Sequence, residues 1–188
     1  MGVLECRSLK TTFGAWHGDF SVKFHANDWH VICGNSGSGK STLLQLMLGL
    51  VRPKAGDLLI DGQSIVDRPP NSRDLSFMTQ YNILLPNLTI LENLTLALHD
   101  INMTKPEKLE RIHRLISLLN LGPEHLKRRP NELSGGQLSR CNLARALLRP
   151  CRWLLLDEPF AAVDRPTRLS ILFWLKNWQL ESGAGILL

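Results

Sequence analysis

Eight consecutive residues, Gly34-Asn35-Ser36-Gly37-Ser38-Gly39-Lys40-Ser41, carry the densest chemistry in the chain. Their spacing fits G-x-x-x-x-G-K-[ST], in which glycines let successive backbone N–H groups turn inward around an anion. An apolar run ending Val31-Ile32-Cys33 precedes the loop, and Thr42-Leu43-Leu44-Gln45-Leu46-Met47 follows it with good helix formers. That is the strand–loop–helix setting the pattern requires. A helix beginning near Lys40 adds the partial positive charge of its N-terminus. Lys40 is then placed for the β/γ-phosphates of a nucleotide, and the Ser41 hydroxyl for Mg²⁺. A plain Gly/Ser-rich turn before a helix is the alternative, and the flanking sequence argues against it.

A second constellation lies further along. Leu133-Ser134-Gly135-Gly136-Gln137 precedes a helical stretch, and Trp153-Leu154-Leu155-Leu156-Asp157-Glu158 is an apolar strand ending in two carboxylates. With the phosphate loop upstream, this order resembles the ATP-binding cassette (ABC) ATPases, whose signature is LSGGQ and whose Walker B strand ends in Asp-Glu. The resemblance extends over nearly the whole chain. It implies ATP and Mg²⁺ as ligands, with Gly34 to Ser41 and Thr42 around the phosphates. It also implies that Asp157 orders the metal and that Glu158 polarises the attacking water.

Further residues follow from the same resemblance. Gln80, after the short strand Leu75 to Met78, matches the glutamine that ligates Mg²⁺ beside a hinge. Ser134 suits a helix N-cap, with Gly135, Gly136 and Gln137 opening a second anion-binding helix N-terminus. In the family that terminus meets the γ-phosphate held by the opposite subunit of a two-fold dimer. The residues behind it, Leu138-Ser139-Arg140, depart from the usual basic or glutamine-rich sequence, which implies altered efficiency rather than loss. Asp164 matches the loop that couples the two sites, and it is also a plausible N-cap before Arg165-Pro166. An aromatic residue normally stacks on adenine; Phe13 is the first choice and Trp16 the second, with core packing an equal reading for either. A switch histidine is expected just beyond Leu188, and none of the six histidines takes its place. The expectation is a C-terminally truncated cassette with impaired hydrolysis and an uncovered last strand.

The elements that must position these groups can be read from patterning. The chain has 188 residues, 44% hydrophobic and 21% charged, enough for one α/β domain with a core. Val3-Leu4-Glu5-Cys6 and Phe20-Ser21-Val22-Lys23-Phe24 alternate like half-buried strands, and with Leu58-Leu59-Ile60 they suggest an antiparallel sheet. Asp61-Gly62 is a hairpin turn pair. From about Thr89 to Leu133 the pattern turns helical, with Ile112, Leu115, Ile116 and Leu119 at helical spacing. A helix, the strand Trp153 to Leu156, a helix from about Pro166 and a strand from Ile186 complete a mainly parallel sheet. The expected fold is thus an α/β P-loop core (1–86 and 150–188) with an antiparallel β part and a helical subdomain (about 87–149).

Composition narrows the partners. No apolar run is long enough to cross a bilayer and no signal-peptide pattern opens the chain, so a membrane role must come through a partner. Cys6, Cys33, Cys141 and Cys151 lack metal spacing and read as reduced, mostly buried small hydrophobes, Cys33 packing before the loop. Net charge is +5, and its densest cluster, Lys127-Arg128-Arg129, lacks aromatics, so it reads as a solvated face rather than a nucleic-acid site. The stretch Glu158-Pro159-Phe160-Ala161-Ala162-Val163-Asp164 resembles the EPFAALD of bacterial importer subunits. Expected partners are a second copy, a membrane permease and, indirectly, a substrate-binding protein, at the cytoplasmic face of the inner membrane. A thiamine-type importer is the nearest group in economy of length. The competing readings are a non-transport ABC ATPase acting on nucleic acid or ribosomes, and a remnant that binds ATP but barely hydrolyses it.

Overall fold

The computed structural model describes residues 2–79, 83–161 and 163–188. The chain divides into two compact units, Met1–Phe77 with Cys151–Asp157 and Gln179–Leu188, and Met78–Pro150 with Glu158–Trp178.

The first unit holds two sheets. Strands β1 (Val3–Phe13), β2 (Trp16–His25), β4 (Ala55–Ile60) and β5 (Gln63–Ser64) form an antiparallel sheet in the order β2-β1-β4-β5. Asp61 and Gly62 join β4 to β5 with φ of 52° and 78°, the left-handed pair a tight hairpin needs. A bulge interrupts β1, where Ser8 has φ 42° and the register shifts against both neighbours. Gly56 on β4 passes so close that a Cβ there would lie 2.0 Å from the Ser8 carbonyl oxygen. Only glycine fits that crossing, which also has φ 87°.

The second sheet has the order β3-β8-β7-β6, from β3 (Trp29–His30), β6 (Leu75–Met78), β7 (Trp153–Leu156) and β8 (Gly185–Leu187). β8 runs parallel to both β3 and β7. The last strand is therefore interior, correcting the expectation that it is left uncovered. Helical crossovers put strands side by side that are distant in sequence, so order along the chain does not predict sheet edges. The strand before the phosphate loop is also shorter than its apolar run suggested. It ends at His30, and among the described residues the Leu188 N–H to His30 and Ile32 N–H to Leu188 hydrogen bonds (2.8 and 2.7 Å) carry the ladder on. Val31 is 65% exposed and Cys33 is exposed as well, so that cysteine is not the packed hydrophobe its neighbours implied.

Leu4, Leu9, Leu43, Leu46, Met47, Leu58, Trp153 and Leu155 are among the residues that make this unit's core. Helix α1 (Lys40–Leu48) is seated on it and closed by an unpredicted device. Arg73 is 4% exposed, yet its guanidinium donates to the Leu46 and Met47 carbonyls at the helix C-terminus (3.0 and 2.8 Å) and to Val66 and Arg68 (2.6 and 2.8 Å). A cation there satisfies orphan carbonyls and complements the helix dipole.

The second unit is helical: α2 (Ile90–Ala97), α3 (Lys105–Leu118), α4 (Gly135–Leu148) and most of α5 (Arg165–Ser182). α2, α3 and α4 pack on one another through buried Ile90, Leu94, Ile112, Leu115, Leu143 and Leu147. Thr89 and Thr104 cap α2 and α3 in capping boxes closed by Glu92 and Glu107.

Candidate nucleotide site

In the first unit, the loop from Gly34 to Gly39 delivers the chain into α1. Gly39 has φ 95°, a conformation open to glycine, and a Cβ there would strike the Trp16 indole at 2.6 Å. Of the two aromatic candidates, then, Trp16 is the one against the loop. Phe13 sits beyond it, ring centroids 6.4 Å apart, and is 49% exposed. Lys40 is folded over the loop, its Nζ donating to the Gly34 and Asn35 carbonyls at 2.7 and 3.0 Å. Ser41 Oγ donates to Asp157 Oδ2 at 3.0 Å, although the two are far apart in sequence. One comes from the first turn of α1 and the other from the carboxyl end of β7.

This donor set suits a nucleotide with Mg²⁺. A hydroxyl and a carboxylate oxygen in contact are hard donors of the kind that cation takes, and the ammonium beside them supplies charge for a phosphate. Gln80 lies outside the described residues, as does Ala162.

The second unit carries the signature by itself. Ser134 caps α4 by accepting from the Gln137 N–H (3.3 Å), while Gln137 Oε1 accepts from the Ser134 N–H (2.9 Å). This reciprocal box leaves Gly135 and Gly136 in the first turn, with open space where a Cβ on Gly135 would stand. The residues that depart from the family pattern have work here. Arg140 donates to the Gly136 carbonyl (3.2 Å) and to the Leu119 and Asn120 carbonyls past the end of α3 (3.1 and 2.8 Å). Ser139 donates to the Pro159 carbonyl at 3.2 Å.

Glu158 is exposed with φ 50°, and this left-handed residue turns the chain sharply off the strand end. A non-glycine residue so placed is strained by about 1–3 kcal/mol, and such strain gathers at functional positions. Asp164 Oδ1 accepts from the Thr167 N–H at 3.0 Å, which caps α5 and holds its carboxyl below the usual range. Arg73, Asn142 and Arg145 were not singled out from sequence. The nearest available signal was a polar residue inside the apolar run Cys141-Asn142-Leu143.

Comparison with known proteins agrees with this geometry. The family model described as ABC transporter matches residues 18–161. A spermidine/putrescine import ATP-binding protein of Thermotoga maritima is 39% identical over 166 residues, covering 88% of this chain and 44% of that protein. A molybdate/tungstate import ATP-binding protein of Thermococcus kodakarensis is 34% identical over 182 residues, covering 96% and 55%. The chain spans about half the length of the curated relatives it matches. Among solved structures, the dimeric structure of a bacterial ABC transporter cassette superposes with a TM-score of 0.86 at 28% identity, covering 98% of this chain and 87% of that one. The same cassette in a post-hydrolysis state with ADP and Pi gives 0.84 at 30% identity, covering 100% and 86%. The loop, the acidic strand end and the capped signature helix therefore stand in a chain that belongs to the ABC transporter ATP-binding family.

Proposed function

We propose that this chain is the ATP-binding and ATP-hydrolysing subunit of a membrane importer, working as a pair of identical copies. The observation that carries this reading is the Ser41–Asp157 contact beside Lys40. Three groups from two elements, the first turn of α1 and the end of β7, converge where a triphosphate and its metal would be held. Lys40 exchanges its loop carbonyls for β/γ-phosphate oxygens. Ser41 and Asp157 hold the metal, with Gln80 as a further ligand. Mg²⁺, when bound, neutralises charge shared between the β- and γ-oxygens. Glu158 orients the attacking water and accepts its proton. Trp16 or Phe13 faces the adenine.

The capped turn Ser134 to Gln137 serves the other copy. Its free N–H groups and helix N-terminus suit the γ-phosphate on the partner's loop, and Asp164 links the two sites. ATP then joins the copies and hydrolysis releases them. The dimeric cassette, and its state with ADP and Pi, support this cycle by similarity. The import role rests on the relatives' function and on the Glu158 to Asp164 stretch. Among the described residues no helix is long and apolar enough to cross a membrane. By similarity to those import subunits, the proposed location is the cytoplasmic face of the inner membrane, held there by a permease, with a substrate-binding protein as an indirect partner.

The test is the Glu158→Gln variant. Removing the base should slow hydrolysis by a hundredfold or more, on the order of a general-base contribution, while nucleotide binding persists. Sedimentation should then show a dimer only with ATP and Mg²⁺. A variant that stays monomeric with both present at high protein concentration would refute the pairing cycle.

A further inference from the structure

The backbone that enters the helical unit is held by side chains of α2 and α4. The Ile83 N–H donates to Asn142 Oδ1 at 3.3 Å, and the Ile83 carbonyl accepts from Arg145 Nη1 at 2.6 Å. Two residues on, the Leu85 N–H donates to Asn93 Oδ1 (2.7 Å) and the Leu85 carbonyl accepts from Asn93 Nδ2 (3.1 Å). Side chains of α2 and α4 thus hold both backbone groups of Ile83 and of Leu85, on either side of the bend at Leu84.

These are costly groups to place. Asn93 is fully buried and Asn142 is 4% exposed, and a buried amide is tolerated only when its hydrogen bonds are met. Arg145 is half-buried, and among the described residues no carboxylate stands within ion-pair distance of it. Burial also pulls its pKa below the usual arginine value. Asn142 and Arg145 are three apart, on one face of α4, the helix whose N-terminus is the Ser134 cap.

We infer that Asn142 and Arg145 are positioning residues: by gripping both backbone groups of Ile83 they fix the tilt of α4, and so the aim of the signature turn at its start. The lever is long. Ser134 lies eight residues from Asn142, about 12 Å along a helix, so a tilt of about 5° displaces the turn by about 1 Å. A displacement of that size is enough to spoil a preorganised contact. The inference rests on the proposed pairing through Ser134 to Gln137.

The test takes the Glu158→Gln chain as parent and adds Asn142→Leu, Asn142→Asp, Arg145→Met or Arg145→Lys. Sedimentation with ATP and Mg²⁺ gives the protein concentration at half-dimerisation, and a fluorescent ATP analogue gives the affinity of the isolated copy. Asn142→Leu and Arg145→Met should raise the half-dimerisation concentration about tenfold, the scale of one lost hydrogen bond, with nucleotide affinity within about twofold. Asn142→Asp keeps an Oδ acceptor and Arg145→Lys keeps a donor, so both should pair better than their apolar counterparts. Amide exchange at Ile83 should speed up in Asn142→Leu, while Leu143 and Leu147 stay protected.

Pairing by Asn142→Leu and Arg145→Met at the parent's concentration overturns the inference and leaves the pairing cycle intact. So does a joint fall in melting temperature and nucleotide affinity without rescue by the polar variants, since that marks a purely structural role. A parent that never pairs overturns the cycle itself, and this inference with it.

Discussion

At the scale of single residues, the four cysteines separate by environment. Burial pushes the Cys6 and Cys141 thiols up to about 12, so neither supplies thiolate at neutral pH. Cys33 is exposed and Cys151 is partly exposed. A disulfide reagent at pH 8 should therefore label Cys33 first and Cys151 more slowly. Cys6 and Cys141 should react only after denaturation, as mass spectrometry of the labelled chain would resolve. Rapid labelling of Cys141 in the folded protein would contradict the packing of α4. The cysteine's burial was the misread feature here. An apolar run predicts burial only if both faces of its strand are covered, and β3 stops before the run does.

Elements depend on a few irreplaceable contacts. Gly56→Ala would drive a methyl into the Ser8 carbonyl and strain a left-handed residue, so β1 or β4 must shift. The expected loss is about 2 kcal/mol or more by denaturant unfolding, above the penalty of the positive φ alone. Arg73→Met keeps the volume but takes the donor from the Met47, Val66 and Arg68 carbonyls, while the Leu46 carbonyl keeps the Gly49 N–H. It should lose roughly 2–4 kcal/mol, at 1–3 kcal/mol for each unsatisfied buried group with partial relief by water. Arg73→Lys should recover only part, because an ammonium cannot fork between these acceptors.

In the helical unit, Glu92 and Glu107 are held below the ordinary carboxylate value of 4.5. The Thr89 backbone N–H is the main cause for Glu92, and the Thr104 hydroxyl for Glu107. A depressed folded pKa stabilises above the unfolded value and loses that contribution as pH falls through the folded one. The N-terminal turns of α2 and α3 should thus loosen below about pH 4.5. Amide exchange of Glu92 and Glu107, which donate to the capping hydroxyls, should speed up there first. Exchange that is flat from pH 6 to pH 3, after correction for intrinsic rates, would argue against the caps.

For the whole molecule, the proposed function sets a linkage. ATP at about a hundred times its dissociation constant adds roughly 2.7 kcal/mol to the folded state. At about 2–4 °C per kcal/mol for a chain of this size, the melting temperature should rise by several degrees. Lys40→Ala removes the loop's point charge and should abolish the rise. An equal rise in both proteins would place the nucleotide elsewhere.

Sequence alone determined the local events. Glycine, lysine and serine at fixed spacing specify a loop that wraps an anion, because backbone N–H groups of neighbouring residues do the binding. Ser134 specifies a helix N-cap, and Asp61-Gly62 a tight turn, since both are built from residues at most three apart. The acidic end of β7 was legible for the same reason: a continuous apolar run must end where the chain meets solvent. What only the tertiary structure decided are meetings across long separations. These include Ser41 with Asp157, β8 between β3 and β7, Trp16 rather than Phe13 against Gly39, and Arg73 under α1. They also include Asn142 and Arg145 on Ile83. Such contacts arise from crossovers and packing, and a buried polar side chain shows its partner only when the backbone it satisfies has been brought to it.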